Sequence, residues 1–276
     1  MSDTPYTDRT LATVAARKKF WRQYQGPLLA ALSVGLSLIV WQVLSMTLFD
    51  PFLVPPPTTV ATSAWPMILS GEIFQDVWIS MTRVMVGFIT GSAAAIIVGV
   101  LIGRINVLHQ LLDPVIEMLR YLSPTAMIPI AVIWFGIGEM SKYFLIFWGT
   151  FFIVLVNTVA GVWRTPIARQ RAAECLGASR FQIFFFVVVP SAAPFIVTGM
   201  RVAMASSFMS IIPAEILAAD SGIGYLLQKS SMLLQTDKIF VALITICILG
   251  FATDKVFRLI VERTLSRFTA NSSISP

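Results

Sequence analysis

Four arginines lie together in the main polar interruption of a chain that otherwise consists largely of apolar runs. The interruption is the segment Trp163–Pro190, and its arginines are Arg164, Arg169, Arg171 and Arg180. Within it, Ala172–Leu176 favours a helix, and the following Gly177 is suited to end that helix or to make a tight turn. The segment is therefore predicted to be an ordered docking element for another protein.

Two further arginines, Arg83 and Arg201, lie inside apolar runs, where a charge is usually functional or paired. Each could attract an anion; alternatively, Arg83 snorkels to the outer surface, and Arg201 pairs with a carboxylate such as Glu215. Nearby hydroxyl and thioether side chains are weaker candidates, because helix–helix hydrogen bonds and packing explain them as well. The candidate residues of a translocation path are Arg83, Ser123, Thr125, Arg201, Met204, Ser207 and Glu215.

No pattern typical of an enzyme accompanies these residues. The sequence lacks the phosphate-binding pattern G-x-x-x-x-G-K-[ST], the nucleophile pattern G-x-S-x-G and any cluster of Cys and His at metal-ligand spacing. We predict that the chain has no catalytic, cofactor-binding or metal-binding residues of its own. Any energy taken from ATP must then come through a partner.

Composition assigns the chain to the membrane proteins. Hydrophobic residues make up 57% and charged residues 12% of it, whereas about 25% of the residues of a soluble domain are charged. The formal net charge of +6 is explained by basic residues at the ends of apolar runs, where lipid headgroups attract them. Nucleic-acid binding is therefore excluded as a function.

Six apolar runs are about as long as a membrane-crossing helix, which needs about 20 residues. Pro124 and Pro129 interrupt the third run, which should be kinked or broken and should face the protein interior. Three prolines in the fifth run predict a bend. The predicted spans are Leu28–Leu48, about Trp78–Gly103, Val115–Gly136, Lys142–Trp163, about Phe184–Leu217, and Ile239 to about Val261.

Small residues recur every four positions along the second span. They are Gly87, Gly91, Ala95, Gly99 and Gly103. This spacing places them on one face of a helix, where they allow the backbone of a neighbouring helix to approach closely.

The distribution of basic residues predicts the orientation in the membrane. The outer loops would hold only Lys142, Lys229 and Lys238, and the other loop and terminal basic residues would be inside. Both termini and the polar segment are therefore predicted to be cytoplasmic. The domain organisation is a cytoplasmic tail at 1–26, a six-span domain at 27–265 with a cytoplasmic loop at about 164–183, and a cytoplasmic tail at 266–276.

The polar segment resembles the EAA signature of the permease subunits of bacterial ABC importers. The pattern is Glu-Ala-Ala, three residues, Gly, nine residues, Ile, one residue and Leu-Pro, and its spacing is met throughout. Arg171 replaces the first Glu, and Glu174 lies one turn further on. The aligned positions are Arg171, Ala172, Ala173, Gly177, Val187, Val189 and Pro190.

The resemblance extends from about Pro55 to the end of the sixth span. The sequences LDPVIEMLRYLSPTAMIPIAVIWFGIGEMSK and PAEILAADSGIGYLLQ look like the importer branch for taurine, alkanesulfonates, nitrate and bicarbonate. This resemblance implies an all-α, six-helix polytopic protein with a type I ABC importer permease fold in the bacterial cytoplasmic (inner) membrane. It also implies two permease copies, two cytoplasmic ATPase subunits that use ATP and Mg²⁺, and a periplasmic or lipid-anchored binding protein.

On this resemblance, residues Ala172 to Arg180 form a coupling helix seated in a groove of the ATPase. Small side chains would permit close approach, and charged ones would set the register. The residues of the ATPase-coupling loop are Arg171, Ala172, Ala173, Glu174, Gly177, Ala178, Ser179, Arg180 and Pro190.

The resemblance leaves the cargo and some rival functions open. The first candidate cargo is a small anion such as a sulfonate, nitrate or bicarbonate. The next candidates are aromatic acids or thiamine- and riboflavin-type heterocycles, carried by the same machinery. A secondary transporter or channel is the alternative from a different class, although intramembrane carboxylates or an inverted repeat would then be expected. A purely structural membrane anchor would not need broken spans.

Overall fold

The computed structural model describes residues 29–269, which form helices joined by short connections, with no strand in that range. The prediction of an all-α protein is confirmed. The predicted tail at 1–26 lies outside the described residues, as do residues 270–276. The chain divides into two compact units, Met1–Ser63 and Ala64–Pro276.

The first unit contains the first predicted span, helix α1 at Leu29–Thr47. The Ser45 hydroxyl donates a hydrogen bond to the carbonyl of Val54 and so holds the turn that follows the helix. Pro55 and Pro56 are non-helical, as predicted for a run of prolines. The third proline of the run, Pro57, instead begins helix α2, where its missing N–H costs nothing.

The remaining helices follow in chain order. They are α2 (Pro57–Leu69), α3 (Glu72–Arg104), α4 (Asn106–Leu119), α5 (Ile128–Phe135), α6 (Glu139–Trp163), α7 (Ile167–Cys175), α8 (Arg180–Ile183), a π-helical turn (Phe184–Val188), α9 (Val189–Ala218), α10 (Ile223–Met232) and α11 (Thr236–Thr269). The short helices α2 and α10 were not predicted from the sequence.

Five helices of the described range are long and apolar enough to cross a membrane, where six spans were predicted. They are Leu29–Thr47, Glu72–Arg104, Glu139–Trp163, Arg180–Leu217 and Thr236–Val261. The third predicted span is not one continuous helix. It is divided between α4 and α5, with turns around Pro124 between them, so the predicted break is confirmed and the count of continuous spans is corrected to five.

Helices α3, α6 and α9 form the centre of the second unit. The stripe of small residues on α3 faces α6, as predicted: a Cβ added to Gly87 would lie 2.5 Å from Cβ of Ile146, and one added to Gly99 would lie 2.8 Å from Cβ of Thr158. Larger residues at these positions would force the two helices apart. The absence of side chains therefore sets the separation of α3 from α6.

The fifth predicted span departs from regular α-helix at its beginning. A π-helical turn, Phe184–Val188, comes directly before α9, which begins at Val189, holds Pro190 in its first turn and continues past Pro194 and Pro213. A π-helical turn accommodates backbone groups that a proline would leave unpaired, and it commonly marks a change of direction.

Candidate functional site

The polar segment at 164–183, which we name the coupling element, contains a helix that ends where the sequence predicts. Gly177 has φ +77°. Its N–H donates to the carbonyl of Glu174 at 2.9 Å, and the N–H of Ala178 donates to the carbonyl of Ala173 at 3.0 Å. These two bonds define a Schellman motif, in which a left-handed residue satisfies the last carbonyls of a helix. Gly177 is thus the residue that stops α7.

The bounds of the predicted coupling helix are wrong. The helix was placed at Ala172 to Arg180, whereas α7 runs from Ile167 to Cys175, and Arg180 begins the next short helix, α8. The physical reason is the stop at Gly177 followed by a new start. The Ser179 hydroxyl accepts from the N–H of Gln182 at 3.3 Å, and the Gln182 side chain accepts from the N–H of Ser179 at 2.8 Å, which is a capping box.

The coupling element is attached to the helix bundle by small residues on its inner side. Ala173 and Ala178 are half-buried against the cluster that includes Val162, Ile183 and Val188. Arg169 donates from Nη1 to the Ser191 hydroxyl at 3.4 Å. The predicted role of Ala173 in close approach to a partner is therefore corrected, because its side chain packs inward.

The outer side of the coupling element is exposed and carries both charges and apolar side chains. Leu176 is 88% exposed, and Ile167 and Phe181 are 65% and 72% exposed. Pro190 does not belong to this surface, since it lies in α9 beyond the π-helical turn. The exposed members of the predicted set are Arg171, Ala172, Glu174, Gly177, Ser179 and Arg180.

A second polar cluster joins α3 to the start of α6 and the end of α9; its members range from the buried Arg83 and Glu215 to Glu139, whose side chain is 48% exposed. Arg83, only 2% exposed, donates from Nε and Nη2 to the two carboxylate oxygens of Glu139, each at 2.7 Å. Its Nη1 donates to Glu215 and to the carbonyl of Ser221, also at 2.7 Å. Lys142 adds a bond to Glu139 at 2.8 Å. We name this cluster the Arg83 network.

The same network fixes the connection between α9 and α10. Glu215 accepts from the Ser80 hydroxyl at 2.8 Å and from the N–H of Gly224 at 2.9 Å. Asp76 accepts from the N–H of Gly222 at 2.9 Å. Gly222 has φ +111°, and its missing Cβ leaves the space that the Glu215 carboxylate occupies. The connection can adopt this path because a glycine tolerates both the positive φ and the close approach of the carboxylate.

This geometry decides the role of Arg83. The predicted alternatives were contact with an anion and snorkelling to the outer surface, and snorkelling is wrong because the side chain is buried and bonded to two carboxylates. Glu215 and Glu139 balance the charges of Arg83 and Lys142. A buried cation with these partners is held as part of the scaffold.

Arg201 has a different partner from the one predicted. It donates from Nε and Nη2 to the two oxygens of Asp254 in α11, at 3.0 and 3.2 Å, and not to Glu215. Both side chains are about half exposed. Glu215 is unavailable to Arg201 because the Arg83 network holds it.

The remaining path candidates divide into two groups. Met204 is 4% exposed within the core of α3, α6 and α9, and Ser207 is fully buried and bonded to the Thr150 hydroxyl at 2.9 Å. These two residues pack helices together, so their placement in a path is corrected. Ser123 and Thr125 lie in the break between α4 and α5, where the N–H of Thr125 donates to the Ser123 hydroxyl at 3.3 Å.

Sequence reasoning missed four members of the Arg83 network, Ser80, Glu139, Lys142 and Ser221. Glu139 begins α6 and follows Gly138, and an acidic residue in the first turn of a helix is a recognisable signal. That signal predicts a favourable helix start and does not indicate an arginine 56 positions away.

Comparisons with known proteins agree with this architecture. The family of binding-protein-dependent transport system inner membrane components matches residues 87–266. The taurine transport system permease protein of Escherichia coli (strain K12) is 35% identical over 84% of this chain and 88% of its own length. A putative aliphatic sulfonates transport permease protein of the same organism is 36% identical over 81% and 85%.

A nitrate import permease protein of Synechocystis is 30% identical over 82% of this chain and 84% of its own length. Among solved structures, a chain of the inward-facing methionine ABC transporter MetNI has the same fold, with a TM-score of 0.57, 18% identity and coverage of 71% of this chain and 98% of that one. The type I ABC importer permease fold is thereby confirmed. The chain belongs to the binding-protein-dependent transport system inner membrane components, the multi-pass permease subunits of ABC transporters.

Proposed function

We propose that this chain is the permease subunit of an ATP-driven importer that passes a small anion, delivered by a binding protein, into the cytoplasm. The observation that carries the proposal is the coupling element, an exposed helical surface held between the end of α6 and the start of α9. Relatives named for taurine, aliphatic sulfonates and nitrate support a small anion as the cargo.

The construction of the coupling element suits the transmission of a movement. Its helix α7 is stopped by Gly177, its second helix is capped by Ser179, and Ala173 and Ala178 fix it against the bundle. A rigid element displaced by a partner would carry the adjoining ends of α6 and α9 with it. Rigid-body displacement of packed helices is an established way to switch between two conformations.

In this proposal, partner proteins supply the ATP hydrolysis and deliver the anion to the permease. Two ATPase subunits hydrolyse ATP with Mg²⁺ and bind the coupling elements of two permease copies, and a periplasmic or lipid-anchored protein delivers the anion. The permease itself binds no cofactor. In the bacterial inner membrane, the orientation places both termini and the coupling element in the cytoplasm, since basic residues favour that side.

The docking surface is tested with the substitution Gly177→Trp. A large side chain on the exposed turn should prevent close approach of the ATPase, so the ATPase should no longer co-purify with the permease, while membrane insertion is unchanged. The matched control is Gly71→Trp. Gly71 also ends a helix with a positive φ, +79°, and both sites have open space where a Cβ would lie.

Because the two substitutions impose similar backbone strain, their difference reports on the surface alone. The proposal predicts normal co-purification for Gly71→Trp and loss of the ATPase for Gly177→Trp. Retention of the ATPase by Gly177→Trp would contradict docking at the coupling element.

A further inference from the structure

A cavity of about 410 Å³ opens beside the break between α4 and α5. Its wall includes Arg120, Ser123, Pro124, Trp148, Asn157 and Ser206. Trp148 lies near the middle of α6, Asn157 lies in the last two turns of that helix, and Ser206 lies near the middle of α9. The cavity therefore runs from the middle of α6 towards its end and reaches the middle of α9, and its volume lies within the range of about 300–1,000 Å³ typical of small-molecule sites.

The backbone of the break is organised around this cavity. Pro124 has no N–H to donate, and the carbonyl of Leu122 accepts from Nε1 of Trp148 at 3.1 Å. Gly149 provides room for the break, because a Cβ at that position would lie 3.1 Å from Cγ of Pro124. Non-helical backbone at membrane depth is stable where protein covers it or where it lines a water-filled space.

Arg120 is the cation of the cavity wall. Its Nε lies 3.0 Å from Glu117, and its Nη2 donates to the Tyr121 hydroxyl at 3.3 Å. A guanidinium has five N–H donors, so these contacts leave donors for a ligand. The side chain is 36% exposed. Arg83, in contrast, is closed in by carboxylates, and Arg201 is not part of the cavity wall.

We infer that Arg120 is the specificity-determining cation of the translocation path, and that this cavity is a passage site for a small organic anion. The acidic group of the anion binds Arg120 and the hydroxyl of Ser123, and its apolar part lies on Trp148 and Phe152. The inference rests on the proposed function, since it names the site through which the anion moves. Sequence reasoning did not single out Arg120, because the cavity that it lines is formed by segments far apart in the chain.

The test measures uptake by proteoliposomes that contain the complete complex with its ATPase and binding protein. The probes are ethanesulfonate, and nitrate as a small anion without an apolar part. Arg120→Gln should lower uptake of both by about 10- to 100-fold, the effect expected when a hydrogen bond to a charged group is lost. Arg120→Lys should retain most of the uptake, and Arg104→Gln, a control at an exposed arginine outside the cavity wall, should retain all of it.

A fourth variant, Arg120→His, provides a readout that a merely structural role would not change. Its uptake, relative to the unsubstituted complex, should rise as the pH falls from 8 to 6, because an imidazole gains its positive charge in that range. The same variant carries the test if Arg120→Gln fails to assemble with the ATPase. Uptake that is unaffected by Arg120→Gln, or a pH profile of Arg120→His equal to that of the unsubstituted complex, would overturn the inference.

The experiment also separates this inference from the proposed function. If the unsubstituted complex takes up neither probe in the presence of ATP, the proposed import of small anions fails, and with it the passage site. If the unsubstituted complex takes up a probe and Arg120→Gln does so equally well, only the assignment of Arg120 fails.

Discussion

Arg83 and Arg201 both lie inside long apolar helices, yet their surroundings differ in every physical respect. Arg83 is 2% exposed and bonded to two carboxylates, a serine hydroxyl and a backbone carbonyl. The side chain of Arg201 is 51% exposed and is paired with Asp254 on a neighbouring helix. An arginine in an apolar run can thus be either a buried residue that holds several segments together or an exposed residue in a surface ion pair.

The difference has consequences for the interpretation of charges in membrane proteins. Burial alone would point to Arg83 as a substrate site, but a buried cation already neutralised by carboxylates has little to offer an anion. Arg120, at the broken helix, retains donors and also lines a cavity. Satisfied and available donors therefore separate structural arginines from candidate binding arginines better than depth does.

The largest effect is expected for Glu215→Gln. This substitution removes one negative charge from a buried group that holds Arg83, Ser80 and Gly224. Loss of one partner from a buried ion pair typically costs about 3–5 kcal/mol, and here Glu139 would have to balance both Arg83 and Lys142. Thermal unfolding of the purified protein in detergent should show a marked fall in Tm. An unchanged Tm would mean that the Arg83 network does not stabilise the fold.

A much smaller effect is expected for Asp254→Asn, which makes the equivalent change at Arg201. In the isolated chain both side chains of this pair are about half exposed, and ion pairs that water reaches contribute about 0–1 kcal/mol. The Tm, measured in the same detergent, should stay close to that of the unsubstituted protein. A loss as large as that of Glu215→Gln would show that the pair lies in a low-dielectric contact, and would remove the contrast between the two arginines.

Local signals explain what the sequence could predict. Gly177 ends α7 as expected. The signal is local, because a glycine that directly follows a helix-favouring run readily adopts the positive φ that stops a helix. The stripe of small residues on α3 predicted a close helix contact for the same reason, since its spacing depends only on helix geometry. Pro124 and Pro129 likewise predicted the break, because a proline removes a donor wherever it occurs.

Contacts between distant segments explain what the sequence could not predict. The partners of Arg83 lie 56 and 132 residues away, and that of Arg201 lies 53 residues away. Many carboxylates are equally plausible at such separations until the helices are assembled. The inward orientation of Ala173 also depends on how α7 lies against the bundle. The cavity beside Arg120 is formed by three separate segments, so no single stretch of sequence indicates it.

ATP-dependent uptake by the reconstituted complex tests the central claim most directly. Proteoliposomes containing the permease, its ATPase and its binding protein should accumulate ethanesulfonate against its gradient when ATP and Mg²⁺ are supplied on the side of the coupling element. Accumulation should stop when ATP is withheld. Uptake by the permease alone, driven only by the gradient of the anion or of another ion, would contradict the account and identify a channel or secondary transporter.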